Sequence, residues 1–536
     1  MHVHAKDDCK DKRRGNSPSS THSNPIPLAL HPWYVAPMLL TRAEATSYRE
    51  TSLHADVMQF IRRLDERNDP RLSVQTFGVS PQGRELPLLI LSKDGVRSAE
   101  DARKTNRPVV LLMDGIHPGE VEGKEATLAL VRDMLDGRQE DFLDAITLVI
   151  VPLFNPDGND ALDPANRRLD LKKLSGQIGP VVGTRTQSQG INLNRDYMRQ
   201  RASEMRLLQD RVCIPFAPDL TIDNHATNGS VHRFQMTVDV PHTVESGRHE
   251  PIDLARQSMV PEVIAAVRAR GFESGWYGNF VEDERILDAD GEVDPNGGVG
   301  LGWMTYPHHP RFGSNYRGLT GRMDILLECY SYLPFEERVR TARAWQIELL
   351  AWAAKNADRI RQVVESSKTP PNRIAVRYAL EALDKPVTIL TRSPRTLEGE
   401  PSSCTIPYFG RFRGTVTIDR PKAYLVPETV AAHLKNHGLH VEPAEGTYDV
   451  EVATLESLGT ENGRAILEAA KVGDISVRWR REKRHAPVGY AKVGTDQPLG
   501  AIATYLCEPE SDDGVYENEL LPVPNVDDEH RVLRVL

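Results

Sequence analysis

Cysteine is scarce in this chain of 536 residues: Cys9, Cys213, Cys329, Cys404 and Cys507 are odd in number, scattered, and form no CxxC pair. That pattern argues against a disulfide framework and a cysteine-ligated metal, and it fits a reducing compartment. Long apolar runs are missing as well, so no segment has the roughly eighteen consecutive apolar residues that a membrane span needs. Basic charge is not in excess. With 66 Lys and Arg against 76 Asp and Glu, the net charge is -10 and the pI near 6.0, which gives no electrostatic reason to expect a nucleic-acid partner. From Met1 to about Leu30 the chain is charged and rich in Ser, Asn and Pro, without the apolar centre of a secretory signal. Residues 1–35 therefore read as a disordered tail in which His2 and His4 are solvated, and a cytoplasmic location is the default expectation. Internal repeats and low-complexity tracts are absent, and no feature sets an oligomeric state.

What is present has the organisation of an α/β protein with a β-rich extension. Val57, Phe60, Ile61 and Leu64 have helical spacing, and the runs Leu72 to Phe77 and Leu86 to Leu91 flank a Ser80-Pro81-Gln82-Gly83 turn. Continuous apolar runs follow at Val109 to Met113, Ile146 to Leu153, Leu220 to Ile222 and Ile325 to Leu327. They alternate with amphipathic stretches after Glu120, over Ile252 to Arg270 with an interruption near Pro261, and over Phe335 to Glu365. Such alternation predicts a mainly parallel sheet covered on both faces. Ser366-Ser367-Lys368-Thr369-Pro370-Pro371 is the expected linker. Beyond it, short β-type runs (374–378, 387–390, 414–418, 423–426, 475–479 and 501–506) and one helical stretch near Glu428 to His437 predict a smaller β-rich domain. The expected boundaries are 36–368 for a catalytic domain and 369–536 for an accessory domain.

Chemistry concentrates at the strand ends. His117-Pro118-Gly119-Glu120 follows the first buried run, Asn155-Pro156-Asp157-Gly158 the second and His225 the third, while Glu328 terminates the fourth. Ligands gather at the carboxyl ends of strands in open α/β sheets. Two imidazoles and a carboxylate suit a catalytic zinc, which takes three protein ligands and keeps an open position for water.

The set His117-xx-Glu120, Asn155-Pro156-Asp157-Gly158, Asn192-Leu193-Asn194-Arg195-Asp196, His225 and Glu328 resembles the zinc carboxypeptidase family, the carboxypeptidase A-like metallopeptidases, over about residues 45 to 365. The segments Asp223 to Ser230 and Arg311 to Leu319 are similar to a bacterial branch that carries a C-terminal β-rich extension. The resemblance implies a three-layer α/β/α domain around a mixed eight-stranded sheet. It also implies one Zn²⁺ per chain held by His117, Glu120 and His225, with Glu328 as the general base that takes a proton from the attacking water and passes it to the leaving amine. Asn194 and Arg195 would bind a terminal carboxylate, a task for a planar, permanently charged donor. Arg185 would stabilise the oxyanion, with Arg167 and Arg168 as competitors for that role, and Tyr316 would cap the substrate.

The implied activity is hydrolysis of a peptide or amide bond next to a free carboxylate, on a peptide or small amide substrate. One alternative is an N-acyl amino acid deacylase of the succinylglutamate desuccinylase and aspartoacylase type on the same fold. The other is a non-catalytic binding protein. Asp196, where many digestive members carry Asn, and Cys329-Tyr330-Ser331-Tyr332 after the base depart from the carboxypeptidase A pattern and leave the specificity pocket open. Gly297 to Gly302 reads as a flexible loop near the cleft, because no Lys-Ser/Thr follows it. The Asn228-Gly229-Ser230 sequon lies too close to His225 to carry a glycan. His232, His308 and His309 read as structural or surface residues.

Overall fold

In the computed structural model, which describes residues 38–139, 141–283, 300–459 and 474–536, the continuous apolar runs pair in the middle of one sheet. Its strands are β1 (Leu72–Val79), β2 (Glu85–Leu91), β3 (Val109–Met113), β4 (Thr147–Val151), β5 (Leu220–Thr227), β6 (Met236–Asp239), β7 (Ser274–Trp276) and β8 (Met323–Tyr330). The spatial order is β1-β2-β4-β3-β5-β8-β6-β7. β3, β4, β5 and β8 run parallel, while β1, β2 and β6 introduce antiparallel pairings, so the sheet is mixed and eight-stranded. β3 and β4 are buried at every position, as strands covered on both faces must be. β6 and β7 were invisible to sequence patterning; at four and three residues they carry too little periodicity to stand out.

Helices cover both faces. On one side lie α1 (His54–Asp65), α2 (Glu122–Leu135) and α4 (Phe335–Lys355), sharing an apolar cluster with Leu112, Ile150, Ile222 and Leu327. α2 is buried along its whole length, so its charged residues must be paired. Arg338 of α4 meets Glu122 at 2.9 Å, Glu125 accepts hydrogen bonds from Thr51 and Ser52, and Lys124 donates to Asn159. The expected helix over Phe335 to Glu365 breaks at Asn356 into two. The interruption expected near Pro261 is a wide turn at Ala255–Met259, just before the proline whose missing N–H leaves the preceding turn without its donor.

On the other face, α3 (Gly313–Leu319) and the helical segment 203–216 share a second apolar cluster with Val376, Tyr424, Leu434 and Tyr505 of the C-terminal region. That region adds a six-stranded sheet and a two-stranded one. A four-stranded sheet joins strands Arg373–Ala382 and Tyr408–Asp419 to strands Gly300–Met304 and Asn279–Asp283. Strand pairing and a shared core thus cross the boundary expected at 368/369, and Leu39–Leu536 forms one compact unit. The run Ala501 to Leu506, expected as a strand, is the helix Gly500–Cys507. It is buried on all sides, and a short apolar run buried all round has no periodicity to distinguish strand from helix.

The tail expected over 1–35 lies outside the described residues, as do Gly297, Gly298 and Val299; Gly300 to Gly302 belong to a strand, where a flexible loop was expected. Among the described residues, no helix is long and apolar enough to cross a membrane.

Candidate metal centre

Two neighbouring parallel strands and one turn build the centre. β3 ends at Met113, and Gly115, at φ +69°, reverses the chain in a left-handed conformation where a side chain would strike Leu153. His117 and Glu120 follow in that turn, just before α2. His225 lies within β5 and Glu328 within β8, in register with each other; both strands run further than their apolar cores suggested. Strand alternation puts Asp223 and His225 on one face.

Three donor atoms converge. His225 Nδ1 lies 3.0 Å from Glu120 Oε2 and 3.1 Å from His117 Nδ1, which is itself 3.3 Å from the same carboxylate oxygen. Two imidazole nitrogens and a carboxylate oxygen facing one another cannot all be satisfied by the protons available, whereas a cation between them satisfies all three. Their spacing agrees with the edge of about 3.3 Å of a tetrahedron built on bonds of 2.0–2.1 Å. The far side of each imidazole is also held, His117 Nε2 by Asn192 Oδ1 at 3.2 Å and His225 Nε2 facing Asp223 Oδ1 at 3.3 Å. Burial pushes the His117 pKa down to about 3, so the ring is neutral with a lone pair to offer. Burial opposes ionisation of Glu120, yet the His117 imidazole and the Arg167 guanidinium beside it hold its pKa well below the usual carboxylate range. The donor set therefore fits zinc.

Residues 57–213 match the family model for zinc carboxypeptidases. Over this segment the chain is similar to zinc carboxypeptidases. The matched segment contains His117, Glu120, Arg167, Arg185, Asn194 and Arg195, while His225 and Glu328 lie beyond it. Among solved structures, the chain is similar to a metallo-carboxypeptidase from Burkholderia cenocepacia, at 18% identity and TM-score 0.40 over 58% of this chain and 71% of that one. It is also similar to a metallo-carboxypeptidase from Pseudomonas aeruginosa in complex with (2-guanidinoethylmercapto)succinic acid, at 17% identity and TM-score 0.39 over 59% and 71%. No curated protein matches the chain.

Of the three converging residues, His117 and Glu120 open onto a cavity of about 410 Å³ that Glu328, Arg167, Arg185, Asn194 and Arg195 also line. Burial pushes Glu328 up to about 8; the Glu120 charge adds to this, while His225, Arg185 and Arg167 oppose it. The two arginines reach the same oxygen, Oε1 of Glu120, at 2.9 Å for Arg167 and 3.3 Å for Arg185. Arg167 is locked. Its φ is +46°, its guanidinium also donates to Gln177 and Ser331, and it passes over Gly119 where any side chain would collide with it. Arg185 keeps 45% of its side chain exposed and faces the cavity as the looser cation. Arg168 is not part of the lining.

Asn194 accepts a hydrogen bond from Gly313 N at 2.9 Å, and the Arg195 guanidinium stacks 3.7 Å above the Phe312 ring. Tyr316, expected as the capping residue, requires correction. It sits on the opposite side of α3 from Ser314, buried against Tyr197, with its hydroxyl 2.7 Å from His437 Nδ1. The tyrosines that do line the cavity are Tyr277 and Tyr306, which form an apolar wall with Phe312 and Leu326. Neither stands in a motif, so nothing local marked them.

Asn155-Pro156-Asp157-Gly158 is a bracket outside the cavity. Asn155 caps a short helix, and Asp157 accepts from Ser80, Ser188 and Arg84. Asp196 accepts the backbone N–H groups of Arg201 and Ala202 and likewise lies off the cavity. His232 is buried against Tyr330 and Trp303, as a structural histidine should be, whereas Asn228 lines the cavity.

Proposed function

We propose that this chain is a zinc-dependent metallocarboxypeptidase-like hydrolase that cleaves a peptide or amide bond next to a free C-terminal carboxylate. The observation carrying this reading is the convergence of His117, Glu120 and His225 at 3.0–3.3 Å beside a cavity lined by His117, Glu120, Glu328 and Arg195. Zinc held there supplies the Lewis acidity that makes water nucleophilic near neutral pH.

The chain's own groups do the rest. Glu328, at the cavity wall with a carboxyl that can hold a proton near neutrality, takes the proton of the attacking water and hands it to the leaving amine. Arg185 places positive charge where the carbonyl oxygen becomes anionic. Arg167, tied to Glu120, Gln177 and Ser331, positions the ligand instead. Arg195 and Asn194 hold the substrate's carboxylate, and the wall of Tyr277, Tyr306, Phe312 and Leu326 receives the side chain next to it.

A library of peptides with free and amidated C-termini, together with N-acyl amino acids, tests this. Cleavage confined to free carboxylates supports it. Equal cleavage of amidated peptides removes Arg195 from the assigned role, and turnover of N-acyl amino acids alone makes the chain a deacylase.

A further inference from the structure

A second set of metal-type donors lies outside the centre described above. His308 and His309 follow strand Gly300–Met304, and Asp512 follows helix Gly500–Cys507 about two hundred residues later. One ring nitrogen of each histidine and a carboxylate oxygen of Asp512 lie within 4.8 Å of one another. We propose that His308, His309 and Asp512 form a second site for a divalent transition metal such as zinc, one that fastens the C-terminal region to the loop carrying Phe312.

Four observations carry the assignment. The donor set, two imidazoles and a carboxylate, is borderline-soft and matches zinc or a neighbouring first-row ion better than calcium or magnesium. The carboxylate is held in place: Asp512 Oδ1 accepts from Tyr505 at 2.6 Å, its backbone N–H donates to Val376 at 3.0 Å, and Oδ2 faces His308 Nε2 at 2.8 Å. The imidazoles are held too, stacked on each other at 4.3 Å between centroids, with Tyr378 and Phe412 against His308. Yet their hydrogen-bonding capacity is not used up. His308 Nδ1 is buried without a partner, and the His309 ring has no hydrogen-bond partner among the described residues. A buried imidazole ordinarily spends both nitrogens, so the spare Nδ1 of buried His308, next to a half-buried His309 ring and a fixed carboxylate, points to a metal as the partner they share.

The span of up to 4.8 Å is wider than the edge of about 3.3 Å in a closed tetrahedral site. A closed site therefore requires a side chain to turn, and the His309 ring has no hydrogen bond among the described residues to break. Of the charges that reach His309, Arg311 is matched by Asp513 and Glu517 at 3.1 and 3.0 Å, and Asp512 opposes Arg195.

Zinc added to the chelator-stripped full chain, counted per chain after desalting, tests the proposal. The expected result is about two equivalents for the parent chain, about one for His309→Ala, about one for His117→Ala, and none for the double variant. His309→Ala removes no hydrogen bond, and Asp512→Asn keeps an acceptor for Tyr505, so at least one of the two retains the parent fold, which circular dichroism checks. A folded His309→Ala or Asp512→Asn chain with the parent zinc count overturns the second site. Failure of the first centre would show separately, as an undiminished count in His117→Ala.

Discussion

Asp223→Asn isolates the part of the metal centre that acts through tautomer choice. Asp223 Oδ1 faces His225 Nε2 at 3.3 Å, and Oδ2 accepts from the buried guanidinium of Arg317, which also pairs with Asp324. With Oδ2 taken by Arg317 and the anionic Oδ1 facing Nε2, the carboxylate favours the His225 tautomer protonated on Nε2, which leaves the Nδ1 lone pair directed at the position shared with His117 and Glu120. An asparagine has one acceptor, and Arg317, which can only donate, claims it. The amide NH₂ then faces Nε2, so the imidazole proton moves to Nδ1, the atom that must be free. Losing such an orienting partner costs about 10- to 100-fold in metal affinity, or about 1.4 to 2.7 kcal/mol. Folding should survive, because Arg317 keeps Asp324 and the buried trio changes from one net negative charge to none. Competition against a chromophoric chelator at fixed pH measures the zinc affinity, and a thermal melt verifies the fold. A folded variant with the parent affinity would show that Asp223 does not set the His225 tautomer.

Glu328→Gln should retain zinc and lose about 10²- to 10⁴-fold in kcat; undiminished turnover by a zinc-loaded variant would place the base elsewhere. Tyr316→Phe should leave kcat and KM within about twofold while lowering stability by about 1 kcal/mol, the value of its hydrogen bond to His437. A large kinetic effect with no stability change would return Tyr316 to the substrate path. Burial, reinforced by the charge of Asp223, pushes Asp114 up to about 8. The folded state thus holds this proton more tightly than the unfolded chain, so the stability it contributes is complete below about pH 4 and falls by about 1.4 kcal/mol per pH unit until about pH 8. Asp114→Asn should flatten that slope in urea titrations of the chelator-stripped chain, and parallel slopes for variant and parent would refute the assignment.

The candidate metal centre was legible because its parts are local or periodic. His117 and Glu120 share one turn, and the apolar runs before His117, His225 and Glu328 declare the strands that deliver them. The division of labour between Arg167 and Arg185 was not legible. Sequence marks both as arginines between two motifs, and only the left-handed backbone at Arg167 and its lock on Gln177 and Ser331 separate a positioning cation from one facing the cavity. Tyr316 misled for a related reason. A short helix carries residues to opposite sides within two positions, so Ser314 lines the cavity while Tyr316 faces the core.

Least legible was the dependence of the cleft on the C-terminal region, because those contacts join positions about 200 to 300 apart and leave no spacing to read. Arg311 pairs with Asp513 and Glu517, Arg199 donates to the Glu517 carbonyl, and the Met198 carbonyl accepts from His433 of α5 (Glu428–Asn436). These contacts grip the two loops that carry Arg195 and Phe312, which stack on each other at the cavity. Both loops lack regular structure for most of their length, and a bidentate clamp must be held to within a fraction of an ångström to discriminate. The rigidity they need comes from the apolar cluster that Val376, Tyr424, Leu434 and Tyr505 share with Tyr197 and Met198. The β-rich region therefore holds the cavity loops in place, and under the proposed function a change in it should act on KM through Arg195 without touching His117, Glu120 or His225.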